Sequence, residues 1–165
     1  MRNKIRTITH AAIIAALYVA LTHGQNLLLP GSASMAIQFR VSGALCVLAF
    51  FTPAAIPGLT LGCLLFNITS GAALPLDFLI GSLASFLAAM GIWLSRKYNP
   101  VPGLLMPALT NGLLVGWELS VCVGGAFWLN AVYVAIGEAA VLLTLGLALY
   151  FALKKGGLNR RLFGA

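Results

Sequence analysis

Long apolar runs alternate with short polar joints from one end of the chain to the other. The runs fall roughly at residues 8–29, 40–51, 55–71, 76–95, 101–123 and 127–153, and Pro30, Pro53, Pro57, Pro75, Pro100 and Pro102 punctuate the joints. Apolar runs of about 20 residues predict membrane-spanning helices, and unbroken rather than alternating apolarity argues against a membrane β-barrel. The expected fold is therefore all-α: one domain, residues 1–165, built as a bundle of six transmembrane helices. The second run is short, so its helix is expected to lie tilted or sheltered by its neighbours. The first run follows Arg2, Lys4 and Arg6 and has the outline of a secretory signal, with Ser32-Ala33-Ser34 as a cleavage site. The membrane character of everything after it favours a span instead.

Composition sharpens this. Of 165 residues, 61% are hydrophobic and only 8% charged, where a soluble domain carries about a quarter charged residues. Six spans occupy most of this length, which leaves no room for a nucleotide-binding domain; any ATPase is expected in a partner. Cys46, Cys63 and Cys122 form no C-x-x-C pair and read as inert free thiols.

The net charge of +7 suggests a nucleic-acid binder until the charges are placed. With an even number of spans and the N-terminus inside, the cytoplasmic pieces hold Arg2, Lys4, Arg6, Arg96, Lys97, Lys154, Lys155, Arg160 and Arg161. That is a positive-inside pattern and predicts an N-in, C-in orientation. Arg40 breaks it, at the outer end of the second span. The three acids share that side: Asp77 opens the fourth span, Glu118 lies near the outer end of the fifth, and Glu138 sits inside the sixth. An ionised group mid-membrane costs about 2.5–3.5 kcal/mol, against about 0.6 returned by a Leu. Each such group needs a partner or a wet cavity, and one Arg does not neutralise three carboxylates. A polar cavity opening outward is the expected arrangement, with an Arg40–acid brace as the plainer reading of any one group.

Gln38, Asn67, Asn111, Ser82 and Ser85 fall in the same zone. An amide in lipid has to find partners, so Asn67 and Asn111 either bridge helices or line the cavity. The serines are expected to bond their own helix backbone. Trp117, Trp128, Phe39, Phe127 and Tyr133 cluster at the outer boundary, as an interfacial aromatic belt or a stacking surface for a flat ligand. His10 and His23 are isolated, so no metal site is expected. No G-x-S-x-G, H-E-x-x-H or P-loop is present, which favours binding over catalysis; the chain is not expected to be an enzyme. In the first span, Ala11, Ala12, Ala15, Ala16 and Ala20 give small-x-x-x-small pairs that let another helix approach closely, either within the bundle or as a docking face for a second membrane protein.

These features meet in a known pattern. The run Ala11–Thr22, the step Gln38-Phe39-Arg40-Val41-Ser42, the segments Ala54–Leu59 and Gly62–Asn67, the run Asp77-Phe78-Leu79-Ile80-Gly81-Ser82-Leu83-Ala84 and Gly137-Glu138-Ala139 resemble the QueT family over nearly the whole chain. That family comprises substrate-binding (S) components of energy-coupling factor (ECF) transporters for queuosine precursors. Where the family commonly has an acid after Q-F-R-x-S, this chain has Gly43, a departure that bears on ligand specificity.

The resemblance implies a six-helix S component in the bacterial cell membrane, its pocket near the outer surface and capped by the loop 29–39. It implies docking through the alanine-rich first helix onto a transmembrane coupling protein (EcfT-like) driven by two cytoplasmic ATPases (EcfA-like), with no cofactor. A 7-deazaguanine is flat, with N–H donors suited to a carboxylate and a carbonyl suited to Asn, Gln or Arg; queuine and the 7-aminomethyl form add an amine for a second carboxylate. Glu138 and either Asp77 or Glu118 are expected to divide those two tasks. Gln38, Arg40, Asn67 and Asn111 supply the remaining hydrogen bonds in this scheme, and Trp117 or Trp128 stacks on the ring. An S component for another vitamin shares the architecture, and a solitary proton-coupled carrier using Glu138 is a further alternative.

Overall fold

In the computed structural model of the chain, residues 2–30, 39–71, 73–97, 100–155 and 157–163 are described. All regular structure among them is helical: α1 (Arg2–Leu28), a 3-10 helix (Val41–Phe50), α2 (Ala55–Thr69), α3 (Asp77–Ser95), α4 (Pro100–Cys122), α5 (Phe127–Val141), a π-turn (Leu142–Gly146), α6 (Leu147–Lys155) and the short α7 (Leu158–Phe163). Four continuous helical stretches are long and apolar enough to cross a membrane: Lys4–Leu28, Asp77–Ser95, Pro100–Cys122 and Phe127–Lys155. The apolar runs expected at 40–51 and 55–71 form the two shorter helices.

The 3-10 helix sits at the centre. Its residues Ser42–Ala49 are all buried, and it packs against α1, α3 and the π-turn. A 3-10 helix rises about 2.0 Å per residue against 1.5 Å in an α-helix. This winding lets a short segment reach farther through the bundle than an α-helix of equal length. Such runs are uncommon because their hydrogen bonds are strained; here enclosure by neighbouring helices holds the segment. On the π-turn, Gly146 faces Val47, and a Cβ there would stand 3.3 Å from the Val47 side chain.

Small residues set the helix spacing. Gly58 and Gly62 on α2 receive α1 so closely that a Cβ at Gly58 would lie 2.9 Å from the Ala11 carbonyl, and one at Gly62 would lie 2.7 Å from Tyr18 Cβ. On α4, Gly112 and Gly116 meet Ala131 and Ala135 of α5 in the same way, the Gly116 Cβ position being 2.6 Å from Ala131 Cα. Without water to drive apolar faces together, close backbone approach is what binds helices in lipid.

This packing divides the alanine strip. Ala11 and Ala15 are buried against α2, while Ala12, Ala16 and Ala20 face outward. Ala11 and Ala15 thus pack within the bundle against α2, and Ala12, Ala16 and Ala20 stay on the outside of α1.

The two ends of the chain share one face of the bundle, where Arg6 Nη2 donates to the Leu162 carbonyl at 2.9 Å. Lys154, Lys155, Arg160 and Arg161 lie at that end.

Candidate functional site

The opposite end is assembled by side chains that reach between helices. Along α1, the residues Tyr18, Thr22 and Gln25 recur at helical spacing on the buried face. Thr22 donates to the Tyr18 carbonyl at 2.7 Å and lies 2.7 Å from the Ser42 hydroxyl. Gln25 accepts from the Val41 amide at 2.8 Å and donates to the Phe39 carbonyl. These bonds fix the entry to the 3-10 helix, and with it Arg40. His23 of α1 is 2.9 Å from the Thr69 hydroxyl, tying the end of α2 to the same region.

Arg40 is only 7% exposed. Its Nη1 donates to the Tyr18 hydroxyl at 3.4 Å and lies 4.0 Å from Cys63 Sγ, and its guanidinium stands 6.0 Å from the centre of the Phe66 ring. Glu138 and Glu118 both lie within electrostatic reach of it. Asn67 donates to the Asp77 carbonyl at 2.6 Å and lies across Gly81, whose Cβ position is 2.9 Å from Asn67 Nδ2. It therefore joins the end of α2 to the start of α3. Asp77 in turn accepts from the Leu74 amide at 2.7 Å.

Deeper in the bundle, Asn111 donates to Glu138 Oε1 at 3.1 Å. Glu138 is buried, and its Oε2 has no hydrogen-bond partner among the described residues. That oxygen lies against Gly43, where a Cβ would come within 2.9 Å. Farther along α4 toward Cys122, Glu118 is fully buried, with the Asp77 carboxyl beside it and Arg40 within electrostatic reach. A buried carboxylate short of donors is costly unless something arrives to satisfy it.

Six of the expected site residues thus form one linked group reaching from one end of the bundle to its middle: Arg40, Asn67, Asp77, Asn111, Glu118 and Glu138. The tryptophans are not part of it. Trp117 is 47% exposed and Trp128 71% exposed, and Trp128 lines an outward apolar groove with Leu109, Leu113 and Val132. Both side chains lie on the outside of the bundle, as the aromatic-belt reading has them. Gln38 lies outside the described residues, as does most of the expected capping loop. Ser82 bonds the Phe78 carbonyl of its own helix at 2.6 Å, as its type suggests. No cluster of three metal-ligating side chains occurs among the described residues.

Sequence reasoning missed the clamp formed by Tyr18, Thr22 and Gln25. The signal was present as three polar-capable residues on one stripe of an otherwise apolar helix.

A family model described as QueT transporter matches residues 8–155. The queuosine precursor transporter QueT of Lactococcus lactis subsp. cremoris (strain MG1363) is 34% identical over 102 residues, covering 59% of this chain and 56% of that protein. The chain thus spans about half the length of the curated relative it matches. No solved structure matches. With its helical membrane bundle matched across nearly all of its length, the chain belongs to the QueT transporter family.

Proposed function

We propose that this protein is the substrate-binding component of an ECF-type importer. In this reading it captures a queuosine precursor (queuine, or 7-aminomethyl- or 7-cyano-7-deazaguanine) at the outer face of the cell membrane. It spans the membrane six times with both termini inside. The observation that carries the reading is the pairing of Asn111 with Glu138, which leaves Oε2 buried and unsatisfied beside Arg40. A carboxylate next to an amide and a guanidinium offers an acceptor for the ring N–H and amino group of a guanine-like edge, with donors nearby for its carbonyl.

The chain then docks onto a transmembrane coupling protein driven by two cytoplasmic ATPases. Ala12, Ala16 and Ala20, small and outward on α1, are the surface available for such an approach.

The test is to replace Glu138 with Gln and titrate the purified protein with 7-aminomethyl-7-deazaguanine. Loss of a buried charge-assisted acceptor should weaken binding by about 2–5 kcal/mol. Unchanged affinity removes Glu138 from the site.

A further inference from the structure

At the end of the bundle where the two termini meet, α1 carries a second stripe. Arg6, His10, Ile13, Ile14 and Leu17 follow one another at steps of three and four residues, so they share one side of the helix. Ala12, Ala16 and Ala20 lie on a different side, about 100° round the axis.

Beside this stripe the bundle is open. Among the described residues, α1 and α6 each pack on the 3-10 helix and not on one another. The gap between them is a groove of about 340 Å³. Ile14, Leu45, Leu48 and Leu153 form its buried floor, while Ile13 and Leu17, 52% and 46% exposed, form a rim. The short α7 closes one end. Its Leu162 and Phe163 line the groove, the Phe163 ring meets His10 edge-on at 5.5 Å, and the Leu162 carbonyl is held by Arg6.

Positive charge gathers at that closed end. Because α7 is six residues long, about 9 Å, its exposed Arg160 and Arg161 stand at the mouth of the groove with Arg6. Lys154, by contrast, turns to Tyr150, its Nζ 3.4 Å from the hydroxyl. The acidic side chains of the chain are Asp77, Glu118 and Glu138, on α3, α4 and α5. No carboxylate side chain of α1, α6 or α7 therefore answers these guanidinium groups. From Arg6 to Leu17, α1 advances about 16 Å, close to one leaflet of a hydrocarbon core about 30 Å thick. A basic mouth over an apolar trough one leaflet deep matches an anionic amphiphile in both shape and sign.

We propose that this groove binds one anionic phospholipid. An acyl chain lies along Ile13, Ile14 and Leu17, and Arg6, Arg160 and Arg161 meet the phosphate. Guanidinium forks pair well with phosphate oxygens. Basic pockets beside membrane helices select anionic headgroups, because a zwitterionic lipid brings its own ammonium to the same phosphate. The bound lipid also joins α1 to α6 and α7, which meet here through the Arg6–Leu162 bond and the His10–Phe163 contact.

The experiment takes the full chain, delipidated in a non-ionic detergent, and titrates it with dioleoylphosphatidylglycerol or dioleoylphosphatidylcholine. Native mass spectrometry counts bound lipid, and a thermal melt is run beside it. One phosphatidylglycerol should bind at about a tenfold lower concentration than phosphatidylcholine and raise the melting temperature. Ile13→Trp places an indole in the groove and should abolish that binding. Ile8→Trp, at a residue 69% exposed on the opposite side of α1, should leave it intact. Replacing Arg160 and Arg161 together with Gln should erase the tenfold preference. Equal binding of the two lipids by the unaltered protein overturns the site. So does a preference that survives Ile13→Trp, the result expected if headgroups merely gather on a basic surface and a partner helix fills the groove. Should Ile13→Trp without lipid melt below the unaltered protein, the arginine pair decides: a preference that persists there overturns the site as well.

Discussion

Glu138 Oε2 and the α-carbon of Gly43 are in such close register that a Cβ on residue 43 would stand 2.9 Å from that oxygen. The absence of a side chain on the 3-10 helix is what allows the Glu138 carboxylate its present position. Because the contact is to the free end of a flexible side chain, a methyl group there displaces the carboxylate rather than the backbone. Gly43→Ala is expected to fold with an unaltered melting temperature and to bind a 7-deazaguanine about ten- to a hundredfold more weakly, the loss of one hydrogen bond to a charged group. Titration calorimetry beside a thermal melt measures both, and undiminished affinity would detach Gly43 and Glu138 from ligand binding.

Gln25 contacts both sides of Arg40 through the Phe39 carbonyl and the Val41 amide. Gln25→Ala leaves those backbone groups without their partner and should cost about 1–3 kcal/mol of stability. Ligand affinity should fall with it, because Arg40 loses its fixed position. A variant with the same melting temperature and affinity would show that the entry to the 3-10 helix is held by other contacts.

Gly116 is expected to tolerate no side chain. A Cβ there meets Ala131 Cα at 2.6 Å and Ala131 N at 2.7 Å, and backbone cannot move aside as a side chain can. Gly116→Ala should destabilise the bundle by about 1–3 kcal/mol. Gly24→Ala, with nothing within 4 Å of the added carbon, should leave stability unchanged or raise it by up to about 1 kcal/mol. Thermal melts in detergent compare the two.

Along α1, Ala12→Leu and Ala16→Leu alter an outward face, whereas Ala15→Leu enlarges a residue buried at 5% exposure against α2. The first pair should abolish co-purification with the coupling protein proposed above, while ligand binding survives. Ala15→Leu should lower the melting temperature itself. Loss of ligand binding in the outward variants would mean that these alanines hold the bundle together instead.

Much of this was readable in the sequence, since burial in lipid imposes simple rules. The apolar runs mark the helices, and Arg40, Asp77, Glu118 and Glu138 stand out because charge is expensive in hydrocarbon. What periodicity does not convey is how a short apolar run winds. The 3-10 form of Val41–Phe50 is imposed by the helices around it, and no local residue pattern requires it. Position along the chain gives a tryptophan's depth but not its facing: Trp117 is exposed while its neighbour Glu118, about 100° further round α4, is buried. The alanine strip held two faces in one run, which only the glycines of α2 separate.

The most direct test of the central claim is to purify the protein from cells supplied with queuosine precursors, release its bound small molecule and identify it by mass spectrometry. The account predicts a 7-deazaguanine, present with the unaltered protein and depleted from Glu138→Gln. A flavin, thiamine or biotin in its place would contradict it.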